Sequence, residues 1–320
     1  MTLEHRLVPF AGVASVRARI RAGRYGTYVS APIEAGLGTG LTRRHDAALA
    51  WVMRQIAAGS MESMEVQAAR SNLFRATWME RGQRFFDCGD VVDHPGIAAA
   101  SRELLGMSVV EPYMLYANLL LPGQELPVHH DTPEFCGLDK TVCPEWFLVV
   151  CGRSGLFEDR RIRVASSVVF VQGDGDLITY PGGVSAAPVG VPPTAGTAIV
   201  LDADELVHGV ARVGGAEAPA PPVEIGMELS WDGDWVLQRG DAEVARWDDE
   251  AVRLSLQWKA WVFADEAAKA AVLSRPLSMA EATATLVAEL RRRGHSLNPM
   301  PDDTDLALLL MREFIELPTA

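Results

Sequence analysis

The sequence predicts a mainly β protein with flanking helices, and three observations carry that expectation. Between residues 112 and 263 the chain is divided into short β-branched and aromatic runs bounded by glycine, proline and aspartate. The last run alternates: Val252, Leu254, Leu256, Trp258, Ala260 and Val262 project one way, and Arg253, Ser255, Gln257 and Lys259 the other. On both sides of this region apolar residues recur at helical spacing instead. Many short strands close together in sequence read as an all-β sandwich or barrel. The 320 residues, 48% hydrophobic and 22% charged, suffice for one large globular domain or two small ones.

Taken in order, the chain opens with an apolar run over residues 7–16, preceded by Glu4 and followed by Arg17, Arg19, Arg21 and Arg24, the reverse of a secretory signal's charge order. Residues 44–70 carry helical spacing, from Arg44 through Ala50, Val52, Ile56 and Ala57 to Val66 and Ala69. Pro95 opens a second helix that Gly106 closes. Strands are expected over 113–121, 146–151, 162–171, 177–180, 197–201 and 207–213. After a Pro/Ala-rich loop at 217–222, residues 223–263 read as a meander turning at Asp232-Gly233, Arg239-Gly240 and Asp248-Asp249. Three helices follow, over 267–273, 278–293 and 302–317, the second opening on the capping-box form Ser278-x-x-Glu281.

Charge narrows the function classes. With 29 basic and 42 acidic side chains the formal net charge is −13, a field that repels phosphate backbones and anionic membranes. No stretch approaches the roughly 18 apolar residues of a membrane-spanning helix. A cytoplasmic protein without nucleic-acid or membrane partners is the expectation. Cys88, Cys136, Cys143 and Cys151 show no CxxC spacing and read as free, buried thiols. Gly-rich phosphate loops, a GxSxG elbow and paired zinc motifs are missing from the sequence.

The segment with chemical content is 119–131, where a strand ends in Pro122-Gly123 and His129, His130 and Asp131 follow. In extended chain residues two apart project to the same side, so His129 and Asp131 converge while His130 points away. A third ligand, His208, lies 77 residues beyond Asp131, again in strand-like sequence before Gly209. Two neutral imidazoles and one carboxylate leave the opposite side of a metal open, the donor set of non-haem Fe(II) oxygenases. Zinc is the competing ion for these ligands.

On His129-x-Asp131 followed by His208, residues 111–263 resemble the Fe(II)- and 2-oxoglutarate-dependent oxygenases, whose core is a double-stranded β-helix, the cupin-like jelly roll. The resemblance implies one domain over 1–320, with a mixed, helix-bearing layer over 1–110, the jelly-roll core over 111–263 and covering helices over 264–320. It also implies Fe(II), 2-oxoglutarate as cosubstrate, and dioxygen, used to hydroxylate, desaturate or cyclise a small organic molecule. A basic residue on the last core strand would grip the far carboxylate of 2-oxoglutarate. Arg253-Leu254-Ser255 is similar to the RxS element of one branch, in which a planar guanidinium and a hydroxyl take that carboxylate together. It stands 45 residues after His208, so 223–247 would be an insertion; Arg212 competes for the role, with Lys259 third.

Tyr116 and Asn118 share a strand face and are candidates to hydrogen-bond the cosubstrate or substrate; Trp146, beside Phe147, and Tyr180 are candidates for the substrate wall. Ala, Arg and Gly usage hints at a GC-rich bacterial source, where such enzymes tailor secondary metabolites. Asp131 argues against a halogenase of this fold, which lacks the carboxylate. The alternatives are a cupin-type metalloenzyme that does not use 2-oxoglutarate, weakened because Ala186 stands where its second motif needs histidine, and a non-catalytic jelly-roll binding protein.

Overall fold

The structure, a computed structural model, describes residues 5–28, 62–140, 142–183 and 185–315. The amino-terminal layer contributes β1 (His5–Pro9), α1 (Val13–Arg21), β2 (Arg24–Thr27), α2 (Met64–Ser71), β3 (Phe74–Glu80), β4 (Gln83–Arg84), α3 (Gly89–Val92) and α4 (Pro95–Leu105). The helix expected over 44–70 is borne out only at 64–70; residues 44–61 lie outside the described residues. As expected, α4 starts with Pro95 and stops at Gly106, which takes the left-handed conformation that a side chain disfavours.

The strand-rich region follows as β5 (Val109–Leu120), β6 (Leu126–His129), β7 (Glu134–Phe135), α5 (Glu145–Arg153), β8 (Arg161–Gln172), β9 (Leu177–Thr179), β10 (Val189–Val191), β11 (Thr197–Leu201) and β12 (His208–Val210). Then come the hairpin strands β13 (Glu228–Trp231), β14 (Trp235–Arg239) and β15 (Ala242–Trp247), and the long β16 (Arg253–Phe263). The chain closes with α6 (Glu266–Leu273), α7 (Met279–Arg292) and α8 (Asp303–Phe314), each capped by an aspartate or serine side chain.

Two antiparallel sheets result. The larger runs β1-β11-β8-β16-β5-β3-β2-β13-β14-β15, and the smaller runs β10-β9-β12-β6. The chain passes from β5 in the large sheet to β6 in the small one, and the alternation continues through β8, the β9–β10 pair, β11, β12 and β16. That winding is the double-stranded β-helix, or jelly roll. The segment expected to be inserted is β13–β15, a meander that extends the large sheet at its far end by pairing with β2. It leaves the core path between β12 and β16 undisturbed.

Both faces of the large sheet are buried at its centre, in β5, β8 and β16. Leu115, Ala117 and Leu119 of β5 and the even-numbered apolar residues of β16 pack against Val16, Ile20 and Ile97 from α1 and α4. The opposite face turns into the jelly roll, where Leu120, Val168, Phe170 and Ile199 meet Leu177 and Val210 of the small sheet. The Arg253, Ser255 and Lys259 side of β16 therefore faces the interior rather than water.

Two expectations need correction. Residues 146–151 are not a strand but most of α5, and every residue from Glu145 to Gly152 is buried. A short run buried all round has no polar stripe to reveal its period, so length and composition cannot separate strand from helix. Of the strand expected over 207–213, only His208–Val210 is paired.

Gly123, in the turn that leaves β5, has φ +87°, and a Cβ there would lie 1.8 Å from the Pro219 carbonyl oxygen. The turn and the 217–222 loop are thus pressed together at a position with no room for a side chain. Gly123→Ala is expected to lower unfolding stability by about 3 kcal/mol, from backbone strain and displacement of that loop. Denaturant unfolding followed by tryptophan fluorescence checks this; a change under about 0.5 kcal/mol would show that the turn readily relaxes.

Candidate metal centre

The small sheet brings the histidines together. β6 and β12 are antiparallel neighbours, with His208 opposite His129. Their close approach depends on Gly209, where a Cβ would lie 2.7 Å from the Leu126 carbonyl oxygen and 3.1 Å from the Val128 Cα. The rings stand 4.6 Å apart between centroids. Asp131, two residues beyond His129, directs Oδ1 at both, 3.8 Å from His129 Nε2 and 4.0 Å from His208 Nε2. Ligand atoms of all three lie within 4.8 Å of one another.

The imidazole orientations are fixed from behind. His129 Nδ1 lies 2.6 Å from the Pro127 carbonyl oxygen, and His208 Nδ1 lies 2.8 Å from that of Leu206. A carbonyl can only accept, so each neutral ring carries its proton on Nδ1 and turns an unprotonated Nε2 toward Asp131. This is how a ligating histidine is held ready for a metal.

Asp131 is oriented by its other oxygen. Lys259 donates to Oδ2 at 2.9 Å and the Ser166 hydroxyl at 3.3 Å, leaving Oδ1 for the imidazoles. Burial alone would push the carboxyl up, but the charge of the Lys259 ammonium leads the opposing effects, and Asp131 is held well below the usual carboxylate range. Burial likewise disfavours the Lys259 charge, and Asp131 raises it above an ordinary lysine. The Asp131 amide donates to the Ala203 carbonyl at 2.8 Å. The 202–207 loop that leads to His208 is fixed in turn by Arg161, which bonds Asp204 and Glu205, each at 2.6 Å.

Arg253 and Ser255 lie together in the interior. Arg253 is 1% exposed; its Nη1 donates to Ser255 Oγ at 3.1 Å and its Nε to the Gly175 carbonyl at 3.3 Å. Nη2 is buried with no partner, and no carboxylate among the described residues forms an ion pair with this guanidinium. Burial therefore pushes Arg253 down to about 10, only partly opposed by the charge of Asp174. The competing cations are otherwise engaged: Arg212 bonds Glu125 at 3.2 Å and the Ala216 carbonyl at 2.6 Å, and Lys259 is committed to Asp131.

Tyr116 and Asn118 are buried on the same interior face, with Asn118 directly opposite Ser255. Tyr180 packs with Val128 and Val207, beside the strand ends carrying His129 and His208. Trp146 belongs to the cluster that α5 forms with α7 and α8, edge-on to Phe147 at 5.7 Å, so its surroundings are those of a core residue. The sequence did not mark Ser166, the Asp131 partnership of Lys259, or Arg75, whose Nε donates to Asn118 Oδ1 at 2.9 Å.

No protein-family model matches the chain, and no curated protein matches it. Among solved structures it is similar to an oxidoreductase of the 2OG-Fe(II) oxygenase family from Burkholderia pseudomallei, with 12% identity, 80% of this chain and 84% of that one covered, and a TM-score of 0.38. HygX from Streptomyces hygroscopicus, with nickel, 2-oxoglutarate and hygromycin B bound, shows 11% identity over 81% of this chain and 83% of that one, with a TM-score of 0.40. A prolyl-4-hydroxylase from Pseudomonas putida shows 15% identity over 79% and 99%, with a TM-score of 0.32. What the site can do follows from its own residues.

Removing the Lys259 ammonium strands a buried carboxylate. Lys259→Met should destabilise the chelator-treated protein by about 3 kcal/mol, and Lys259→Met combined with Asp131→Leu by less than the sum of the single changes. Urea unfolding of the four proteins measures the coupling; strict additivity would mean that the pair contributes nothing beyond its separate side chains.

Proposed function

We propose that this chain is an Fe(II)- and 2-oxoglutarate-dependent oxygenase that hydroxylates, desaturates or cyclises a small organic substrate. The observation that carries this reading is Arg253, a buried guanidinium with no carboxylate partner among the described residues, placed with Ser255 in the jelly roll whose strands also bring His129, Asp131 and His208 together. A metal-binding protein without a dicarboxylate cosubstrate gives no reason to bury such a charge, whereas a ligand carboxylate satisfies it.

His129 and His208, through Nε2, and Asp131, through Oδ1, are the residues that would hold the iron. Their chemistry fits: two neutral nitrogen donors and one anionic oxygen suit Fe(II) and leave positions for cosubstrate and dioxygen. When bound, iron supplies the reduction of dioxygen coupled to oxidative decarboxylation of 2-oxoglutarate to succinate and carbon dioxide. The chain does the rest by placement. Arg253 takes the far carboxylate with its planar fork, and Ser255, donating to the Asn118 carbonyl at 3.5 Å, keeps its hydroxyl beside that fork. Lys259 and Ser166 hold Asp131 so that one oxygen alone faces the imidazoles. Phe170 packs beneath the Arg253 guanidinium, its ring centre 5.8 Å away, and helps keep water from the carboxylate grip. Asp131 favours oxygen transfer over halogenation, because it fills the place a halide would need.

Anaerobic addition of Fe(II) and 2-oxoglutarate should give a weak visible charge-transfer band that His129→Ala and His208→Ala abolish. Failure of the band in the unmodified protein, or its survival in both variants, would overturn the metal assignment. Separately, Arg253→Ala should raise the 2-oxoglutarate requirement by about 30-fold or more, as loss of one partner of a buried charge pair does. Arg212→Ala should leave it near the starting value, and the reverse order would move the grip to Arg212.

A further inference from the structure

We propose that Arg75 is the receptor for a carboxylate on the molecule to be oxidised, so that the substrates of this site are small carboxylic acids. The inference rests on the oxygenase reading above and deepens it by naming the substrate class.

Arg75 lies on β3, directly opposite Asn118 of β5, which is itself opposite Ser255 of β16. The three residues form one row across the large sheet, with Asn118 and Ser255 already placed in the interior. The guanidinium is held on three sides. Its Nε is bonded to Asn118, and its carbon lies 3.9 Å from the centre of the Tyr116 ring and 4.1 Å from that of Tyr28. Two aromatic faces fix the plane of the group and favour its charge. Nη1 and Nη2 form no bond to any described residue, and no carboxylate pairs with them. The arginines that brace the framework differ: Arg70, Arg153, Arg161 and Arg163 each end on an acid. A planar fork, immobilised from behind with its outer edge free, is what bidentate recognition of a carboxylate requires.

The position favours substrate over cosubstrate. Tyr28, stacked on Arg75, donates its hydroxyl to Glu145 at 3.1 Å, and Glu145 also accepts from Thr132, the neighbour of Asp131, at 3.5 Å. The clamp is thus linked to the triad through its own contacts. Arg253 stands two strands away across the sheet, roughly 10 Å at ordinary strand spacing. Each guanidinium is therefore placed to hold its own anion. A chain with net charge −13 repels acids at long range, so a fixed, partly buried cation is the means by which such a substrate is retained.

The test uses hexanoate, benzoate, phenylacetate and L-phenylalanine, each beside its primary amide, on the full chain. The acids should raise the melting temperature of the chelator-treated protein by about 2 °C or more and the amides should not. Arg75→Gln should lose the response to acids yet keep the response to 2-oxoglutarate, and Arg253→Ala should show the opposite pattern. In a succinate-release screen the stimulating compounds should be acids, with KM for the acid raised about 30-fold in Arg75→Gln and less in Arg75→Lys. Equal responses to acids and amides, no response to any acid, or loss of the 2-oxoglutarate response in Arg75→Gln would each overturn the assignment. Absence of succinate formation in the unmodified protein with Fe(II) and 2-oxoglutarate would instead remove the oxygenase reading, and the acid–amide comparison would still decide Arg75.

Discussion

Burial of β16 on both faces is the constraint from which the site follows. One face, Val252 through Val262 at alternate positions, is sealed by the amino-terminal helices and supplies much of the core. The other carries Arg253, Ser255 and Lys259 into the jelly roll, where a charge is unfavourable unless something compensates it. The strand cannot shift by one residue to relieve this, because the slip would drive Trp258 and its apolar neighbours into the polar interior. The fold thus fixes where the charges stand, and the site consists of what meets them.

The compensation differs along the strand. Lys259 is matched inside the protein by Asp131, a pair that sets which carboxylate oxygen faces the imidazoles. Arg253 has a hydroxyl and a carbonyl but no paired anion among the described residues, and its charge is disfavoured by burial. The first arrangement is complete without a ligand and serves orientation. The second leaves a buried cation without a paired anion, so any anion that bound there would stabilise the folded state by linkage as well as by contact.

Much of this was legible in the sequence, and the limits have physical causes. The i, i+2 spacing of His129 and Asp131 survived because a strand fixes the direction of its side chains, and the alternation of β16 showed which residues Arg253 would accompany. The meander β13–β15 was visible through its turn residues, since Asp-Gly and Arg-Gly pairs mark hairpins whatever the sheet they join. Helix α5 was misread because complete burial erased its periodicity. From sequence alone Lys259 reads as a third candidate for the cosubstrate grip, because charge sign is written in the sequence and the identity of the partner is not. Arg75 left no mark at all: its role depends on two tyrosines and an asparagine drawn from three separate segments.

Arg75 and Arg253 show why a buried or clamped cation should be judged by its unmet bonds rather than by its charge. Arg161 is also buried, yet it meets Asp204, Glu205 and Glu158 and braces the loop before His208. Its Nε is unpaired, but both terminal nitrogens are spent on acids, which a ligand would have to displace. Arg253 retains an orphaned Nη2, and the terminal nitrogens of the partly buried Arg75 bond no described residue. Since preorganised donors lose little freedom on meeting an anion, their binding energy is available for positioning a ligand. Arg70, Arg153, Arg161 and Arg163 close on acids supplied by the chain, whereas Arg75 and Arg253 pair with no carboxylate among the described residues.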